Sequence, residues 1–213
     1  LNLCSVQDVK VQMTMADRKI NAVMSTSAGR LFDGVSAILG IRKASTFEGE
    51  ASMALEFTAE AYEKKHHNAV DLQHAMDEMR KQFPLAVCID NKESESTEIN
   101  KPEQVKAVLN TGALVKTIAE ARLAGADTEK LAYFFHWILA EEIIVACQKA
   151  GKESGRGTVA LSGGVFQNQL LLKMVDEGLQ KEGFKVLRHR LVPPNDGGIA
   201  LGQAVYAMGS LKS

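Results

Sequence analysis

Val159-Ala-Leu-Ser-Gly-Gly-Val-Phe-Gln-Asn168 is the stretch on which the reading of this chain turns. Residues of buried-strand character run into two glycines, and an asparagine then opens an amphipathic helix. Gly163 and Gly164 carry no Cβ, so the backbone there is free to turn sharply and to lie close against a bound group. The helix expected from about Asn168 to Glu182 places Leu171, Leu172, Val175 and Leu179 on one stripe. Its first turn would point unpaired N–H groups and the positive end of a dipole at the loop, which suits a phosphate or another anion. A Gly-Gly between strand and helix is equally an ordinary turn. The spacing matches neither the P-loop, which needs a Lys-Ser/Thr pair, nor the GxGxxG of dinucleotide folds.

Working outward, Lys185 to His189 reads as a second short strand. Pro193-Pro194-Asn195-Asp196-Gly197-Gly198 then turns into a last helix, Ile199 to Met208. Strand–loop–helix twice over is the arrangement of a parallel α/β sheet. Ligands of such sheets collect at the carboxyl ends of the strands, where both glycine loops would lie. Upstream the pattern is helical. Asp127 or Thr128 caps the most apolar helix, which carries Leu131, Phe134, Phe135, Ile138, Leu139, Ile143 and Cys147 and should end near Gly151. Earlier helices are expected around Val6–Ile20, from Leu31 to a stop at Gly40, and around Leu72–Phe83, before Pro84. Another should open at a Ser45/Glu48 capping box, with Met53, Ala54, Phe57 and Ala61 inside. Leu85–Ile89 is a strand candidate, Asp90–Glu98 an exposed loop, and Pro102 the start of a helix whose apolar pattern runs from Val105 through Ile118.

The 213 residues are enough for one large domain or two small lobes. With 25 basic and 26 acidic residues well mixed, net charge is −1, which argues against a nucleic-acid surface built from bulk charge. No uninterrupted apolar run approaches the roughly 18 residues of a membrane span, and no signal peptide opens the chain. Cys4, Cys88 and Cys147 are odd in number and far apart, as in a reducing cytoplasmic protein without disulfides or a structural zinc site. The first residue is Leu, so a piece of a longer polypeptide is expected.

Three segments together resemble one family: Ser25-Thr-Ser-Ala-Gly-Arg-Leu-Phe-Asp33, Leu161-Ser-Gly-Gly-Val-Phe-Gln-Asn168 and Pro193-Pro-Asn-Asp-Gly-Gly-Ile-Ala-Leu-Gly202. They are similar to the HypF carbamoyltransferases of nickel–iron hydrogenase maturation. Thr46-Phe-Glu-Gly-Glu50 and Phe135-His136 before Leu139-Ala140 add to the likeness. The resemblance spans essentially the whole chain but only the C-terminal lobe of that enzyme's last domain. It implies an α/β lobe of the actin/hexokinase-like (ASKHA, RNase H-like) ATPase fold with several helical insertions. Residues 1–213 would form one lobe, mainly helical insertions over 1–150 and the α/β site motifs over 151–213.

Carried over residue by residue, the resemblance implies that Gly163, Gly164 and Asn168 contact an adenine nucleotide. Gly29 would supply a backbone contact, Asp33 would hold the ribose hydroxyls, and Asp196 would ligate a catalytic divalent metal. The implied reaction uses ATP and carbamoyl phosphate, by way of carbamoyl-adenylate, to carbamoylate the C-terminal cysteine of a HypE-like acceptor, with the remaining HypF domains as partners. The two histidines that complete the family's metal site come from an HxxxH motif, which this sequence lacks; His66, His67 and His74 do not have the spacing. The metal site should therefore be incomplete in this chain. The wider superfamily includes O-carbamoyltransferases and tRNA threonylcarbamoyladenosine synthases. Near-neutral charge weakens the tRNA option, and Arg30 stands where that branch commonly has Glu. A nucleotide-binding lobe that is silent in isolation is the remaining reading.

The bland readings stand beside these. Asp33 on sequence alone is a solvated helix residue, Arg30 a surface ion pair, and Asp196 before Gly-Gly a turn residue. His136 among apolar neighbours reads as a hydrogen-bonded core histidine. His67, Asp71 and His74 share a helix face that could bind a transition metal, but with Glu63 and Glu78 nearby they read as a solvated face. Ser162 before Gly-Gly lacks the GxSxG of a nucleophile elbow, which excludes a serine hydrolase.

Overall fold

The computed structural model describes residues 3–23, 25–66, 68–84, 89–92, 106–109 and 111–210. In chain order the elements are α1 (Val6–Asp17), α2 (Ala28–Ile38), α3 (Glu50–Lys65), α4 (Ala69–Gln82), β1 (Ile89–Lys92), β2 (Lys106–Leu109), α5 (Thr111–Leu123) and α6 (Thr128–Ser154). Then come β3 (Thr158–Leu161), α7 (Gln169–Lys181), β4 (Lys185–Arg188) and α8 (Ile199–Ser210). Helices dominate, and β3 and β4 form a small parallel sheet with Val159 beside Val186 and Leu161 beside Arg188. This is the α/β lobe expected from the two strand–loop–helix units.

The core is organised on α6. Asp127 caps it by accepting the Lys130 N–H at 2.8 Å. Its Leu131, Phe134, Phe135, Ile138 and Leu139 are buried, and it packs against α3, α7, α5 and α4. Burying each such side chain contributes about 1.5–3 kcal/mol. With 27 residues and a mean hydropathy of 1.3 over its best window, α6 is long and apolar enough to cross a membrane. Here those apolar residues face other helices instead.

Several local expectations are corrected. The helix starting at Pro102 is replaced, where described, by β2 paired antiparallel with β1, Ile89 opposite Leu109 and Lys92 opposite Lys106. The helix begins only at Thr111, with Gly112 in its first turn. A short apolar run carries too few residues to separate the two periods, and cross-strand pairing decides. Asp90–Lys92, assigned to a loop, thus belongs to β1; residues 85–88, 93–105 and Cys88 lie outside the described residues. The Ser45/Glu48 capping box does not form. Gly49, at φ +81°, is the N-cap of α3, and the Glu50 carboxylate reaches back to the Thr46 N–H at 2.6 Å and hydroxyl at 3.0 Å. Starting there, α3 buries Ala51, Leu55, Glu56, Ala59 and Tyr62, while Phe57 is 63% exposed. α6 also continues past Gly151. The Phe184 ring stands 2.9 Å from where a Cβ would be, so this glycine serves a close contact rather than a helix end.

α1 and α8 form as expected, yet neither buries a residue. Val6 and Met13 on α1, and Val205, Tyr206 and Met208 on α8, all stay exposed.

Two titratable groups of α6 sit in the core with opposite consequences. His136 is fully buried, and desolvation, partly offset by its backbone hydrogen bond to Ala132, lowers its pKa from 6.5 to about 4. Its native state refuses a proton that the unfolded chain accepts, so its contribution to stability is present above pH 6.5 and lost as pH falls towards 4. Glu142 is 1% exposed, and among the described residues neither of its carboxylate oxygens has a hydrogen-bond partner. Desolvation raises its pKa from 4.5 to about 7. The folded state holds a proton that the unfolded chain releases, so its contribution is present below pH 4.5 and lost as pH rises through 7. Replacing Glu142 by Gln should therefore favour the variant by about 1–3 kcal/mol more at pH 8 than at pH 4.5. Urea unfolding across that range checks this; a difference independent of pH would mean that the carboxylate is ionised in the fold.

Candidate functional site

β3 delivers Ser162 and the glycine pair to the carboxyl end of the sheet. Gly163 adopts φ +100°, ψ 157°, a conformation that a side chain would strain. A 3₁₀ turn, Gly164–Gln167, follows, and the Phe166 N–H donates to the Gly163 carbonyl at 3.1 Å. β4 delivers His189 to the same edge, and the chain reaches Asp196 in a second 3₁₀ turn, where Asn195 Oδ1 accepts the Gly197 N–H at 3.0 Å. Because the strands are parallel and in register, the residues following Leu161 and Arg188 meet: Ser162 Oγ lies 2.8 Å from His189 Nε2. The glycine loop and the residue that begins the connection to Asp196 are therefore neighbours at one edge. A cleft of about 340 Å³ opens beside them, lined by Leu161, Phe166, Gln167, Arg188, His189 and Pro194 among others.

The helix N-terminus that the sequence offers to an anion is filled from within. Asn168 is the N-cap of α7, its Oδ1 accepting the Leu171 N–H at 2.8 Å. The Glu56 carboxylate, from α3, accepts the Gln169 N–H at 2.6 Å, and the Leu170 N–H also acts on it. Burial pushes the Glu56 pKa up, and those two N–H groups oppose the shift. Two of the first three donors of α7 are thus taken by protein oxygens at hydrogen-bond distance, and the third acts on the same carboxylate. This corrects the dipole argument made from sequence: the positive end exists, but a side chain neutralises it.

Asn168 is 8% exposed, and its Nδ2 lies 2.9 Å from His136 Nε2. With Oδ1 engaged as well, one amide hydrogen remains for a ligand. His136 is the core histidine expected. Its Nδ1 stands 2.8 Å from the Ala132 carbonyl.

α2 packs beside the Gly164–Gln167 turn. Ser27 caps it, and Gly29 is exposed in its first turn. Asp33, one turn on, is partly buried. It accepts a hydrogen bond from Ser52 Oγ at 3.3 Å and pairs with Arg30 at 3.2 Å. Asp196 is exposed. No cluster of three His, Cys, Asp or Glu side chains placed to hold a metal ion occurs among the described residues. On α4, Asp71 is engaged with the N-cap Asn68, while His67 lies outside the described residues.

Two features escaped the sequence reading. Glu56 was visible only as a charged residue on the stripe between Leu55 and Ala59. The meeting of Ser162 with His189 follows from extending the strand register by one residue.

Residues 3–203 match the family described as "Carbamoyltransferase, Kae1-like Domain, second subdomain". The chain is 28% identical over 205 residues to a probable carbamoyltransferase HypF of Methanocaldococcus jannaschii, covering 96% of this chain and 22% of that protein. It is 34% identical over 182 residues to a carbamoyltransferase HypF of Synechocystis, covering 85% and 19%. Among solved structures, full-length HypF in a phosphate- and nucleotide-bound form superposes with a TM-score of 0.72 at 31% identity, over 98% of this chain and 24% of that one. HypF of T. kodakarensis, at 24% identity, shares the fold with a TM-score of 0.66. The chain spans about a fifth of the length of the two curated relatives. It belongs to the HypF carbamoyltransferase family, as the second subdomain of the Kae1-like carbamoyltransferase domain.

Proposed function

We propose that this chain forms one wall of an adenine-nucleotide site in a carbamoyltransferase that makes carbamoyl-adenylate from ATP and carbamoyl phosphate. The carbamoyl group passes to the C-terminal cysteine of a HypE-like acceptor in the reducing cytosol, on the way to the cyanide ligand of nickel–iron hydrogenase. The observation that carries this reading is that the parallel strands β3 and β4 bring Ser162, which opens the Gly163–Gly164 loop, to 2.8 Å from His189 at one edge of the sheet. The nucleotide held by the related full-length HypF supports it.

In this reading the backbone at Gly29, Gly163 and Gly164 approaches the nucleotide, Asp33 accepts hydrogen bonds from the ribose hydroxyls, and Asn168 donates its remaining amide hydrogen. In the transfer step the acceptor thiolate attacks the carbamoyl carbon. A C–S bond forms, the C–O bond to the adenylate phosphate breaks, and AMP leaves with the electron pair. The partner brings the nucleophile, so the work left to this chain is orientation and stabilisation of charge on the departing phosphate by loop N–H groups. Asp196 contributes at most one ligand to a divalent ion, whose other ligands would come from outside the chain.

Gly164 gives a clean test, because among the described residues nothing lies within 4 Å of where its Cβ would be. Gly164→Val in the full-length protein should leave the fold intact and weaken ATP binding by about tenfold or more, while Asp33→Ala should cost about 1–3 kcal/mol. Calorimetric titration with unchanged affinity for both variants would remove this site.

The 213 residues alone should bind adenine nucleotide weakly and transfer nothing, because they span only about a fifth of the length of the two curated relatives. In the full-length protein Asp196→Ala should abolish transfer to the acceptor thiol without unfolding. A single-turnover assay decides, and robust transfer by the isolated chain or by the Asp196→Ala protein would overturn the assignment of Asp196.

A further inference from the structure

The loop between β3 and α7 is gripped from behind by polar side chains that lie inside the core. His136 is fully buried on α6, its ring edge-on to Phe32 at 5.4 Å and Phe135 at 5.5 Å between centroids. A carbonyl can only accept, so the 2.8 Å contact with Ala132 O puts the proton of the neutral ring on Nδ1. Nε2 is then left as an acceptor, facing the Asn168 amide nitrogen at 2.9 Å. At its other end the same amide must present oxygen, because Oδ1 receives the Leu171 N–H. Turning the amide over would set oxygen against a ring lone pair and NH2 against a backbone N–H. One orientation of Asn168 is therefore allowed, and His136 selects it.

Desolvation keeps the ring neutral, and Glu60 is the charged group that acts on it. From α3, Glu56 accepts the Gln169 N–H at 2.6 Å. Asn168 and Gln169 are thereby anchored to two core helices immediately after the glycine loop.

We propose that His136 is a positioning residue for nucleotide binding: through the amide of Asn168 it sets where the Gly163–Gly164 loop stands. The proposal rests on the nucleotide site described above. It differs from a plain core role in one respect. Filling the same volume without the Nε2 acceptor must damage binding, and restoring an acceptor must repair it.

The test uses the full-length polypeptide, ATP as the probe, and calorimetry at a temperature where circular dichroism shows every variant folded. His136→Phe preserves the ring and its aromatic contacts but removes both nitrogens; ATP affinity should fall by about fivefold or more. His136→Gln places an amide oxygen near the position of Nε2 and should return affinity to within about twofold of the parent. Met76→Ala, a buried α4 residue away from the loop, should lower the melting temperature and leave affinity within about twofold. In a double-mutant cycle, His136→Phe should add little to Asn168→Ala. Parent affinity in His136→Phe, or an equal loss in Met76→Ala, would overturn the positioning role and leave the nucleotide site standing. Absence of ATP binding by the parent protein would overturn both. Should His136→Phe fail to fold, nitrogen chemical shifts of the parent protein decide: a neutral Nδ1–H ring is expected, and an Nε2–H ring overturns the proposal.

Discussion

The first turn of α7 is the constraint on which the candidate site depends. A helix begins with N–H groups that no residue of the helix can satisfy, and at a buried start each must find an oxygen. Here Asn168 supplies one, to Leu171, and Glu56 another, to Gln169. Because Glu56 belongs to α3 and the partner of Asn168 belongs to α6, the loop has its height and direction set by the two helices that share the largest contact in the core. The long helical region that precedes β3 in the sequence is therefore more than a covering layer. It supplies the frame against which a short loop is held.

Much of this was legible in the residues. The β3–loop–α7 and β4–loop–α8 units followed from apolar runs broken by Gly-Gly and by Pro-Pro-Asn-Asp-Gly-Gly, and a parallel sheet brings two such loops to one edge by geometry. Asn168 as the residue that opens α7, and Asp127 as one of two candidate caps of α6, came from residue type and position alone. What remained hidden depended on partners distant in sequence. Gln169 and Glu56 are 113 residues apart, and no local pattern announces that a carboxylate will fill the anion site of a remote helix. The start of α3 was misread for a related reason. Ser45 and Glu48 have capping-box spacing, but the Glu50 carboxylate captures Thr46 and moves the start of the helix, rotating its buried face away from Phe57. At β2 the short run Lys106–Leu109 fits either period, and only its pairing with β1 settles which.

The site also divides its two glycines between different demands. Gly163 occupies a backbone conformation that the chain itself needs, whereas Gly164 has nothing among the described residues near where its Cβ would be. Adjacent identical residues thus answer to separate constraints, one internal to the fold and one facing outward. Asp33 is held in place by Ser52 and Arg30, and a side chain fixed in this way costs less to order in any interaction it makes.

α8 carries a consequence for the life of the polypeptide in a cell. Its Leu201, Val205, Tyr206 and Met208 remain exposed in the folded lobe. Chaperones and quality-control proteases recognise exposed apolar segments of this kind, which ordinarily mark an unfolded chain. A lobe that has completed its own core would still carry that mark until another surface covers α8. Its abundance would then be governed by how fast it is joined to its neighbours as much as by its folding stability, and a substitution that merely delays docking could deplete the protein without unfolding it.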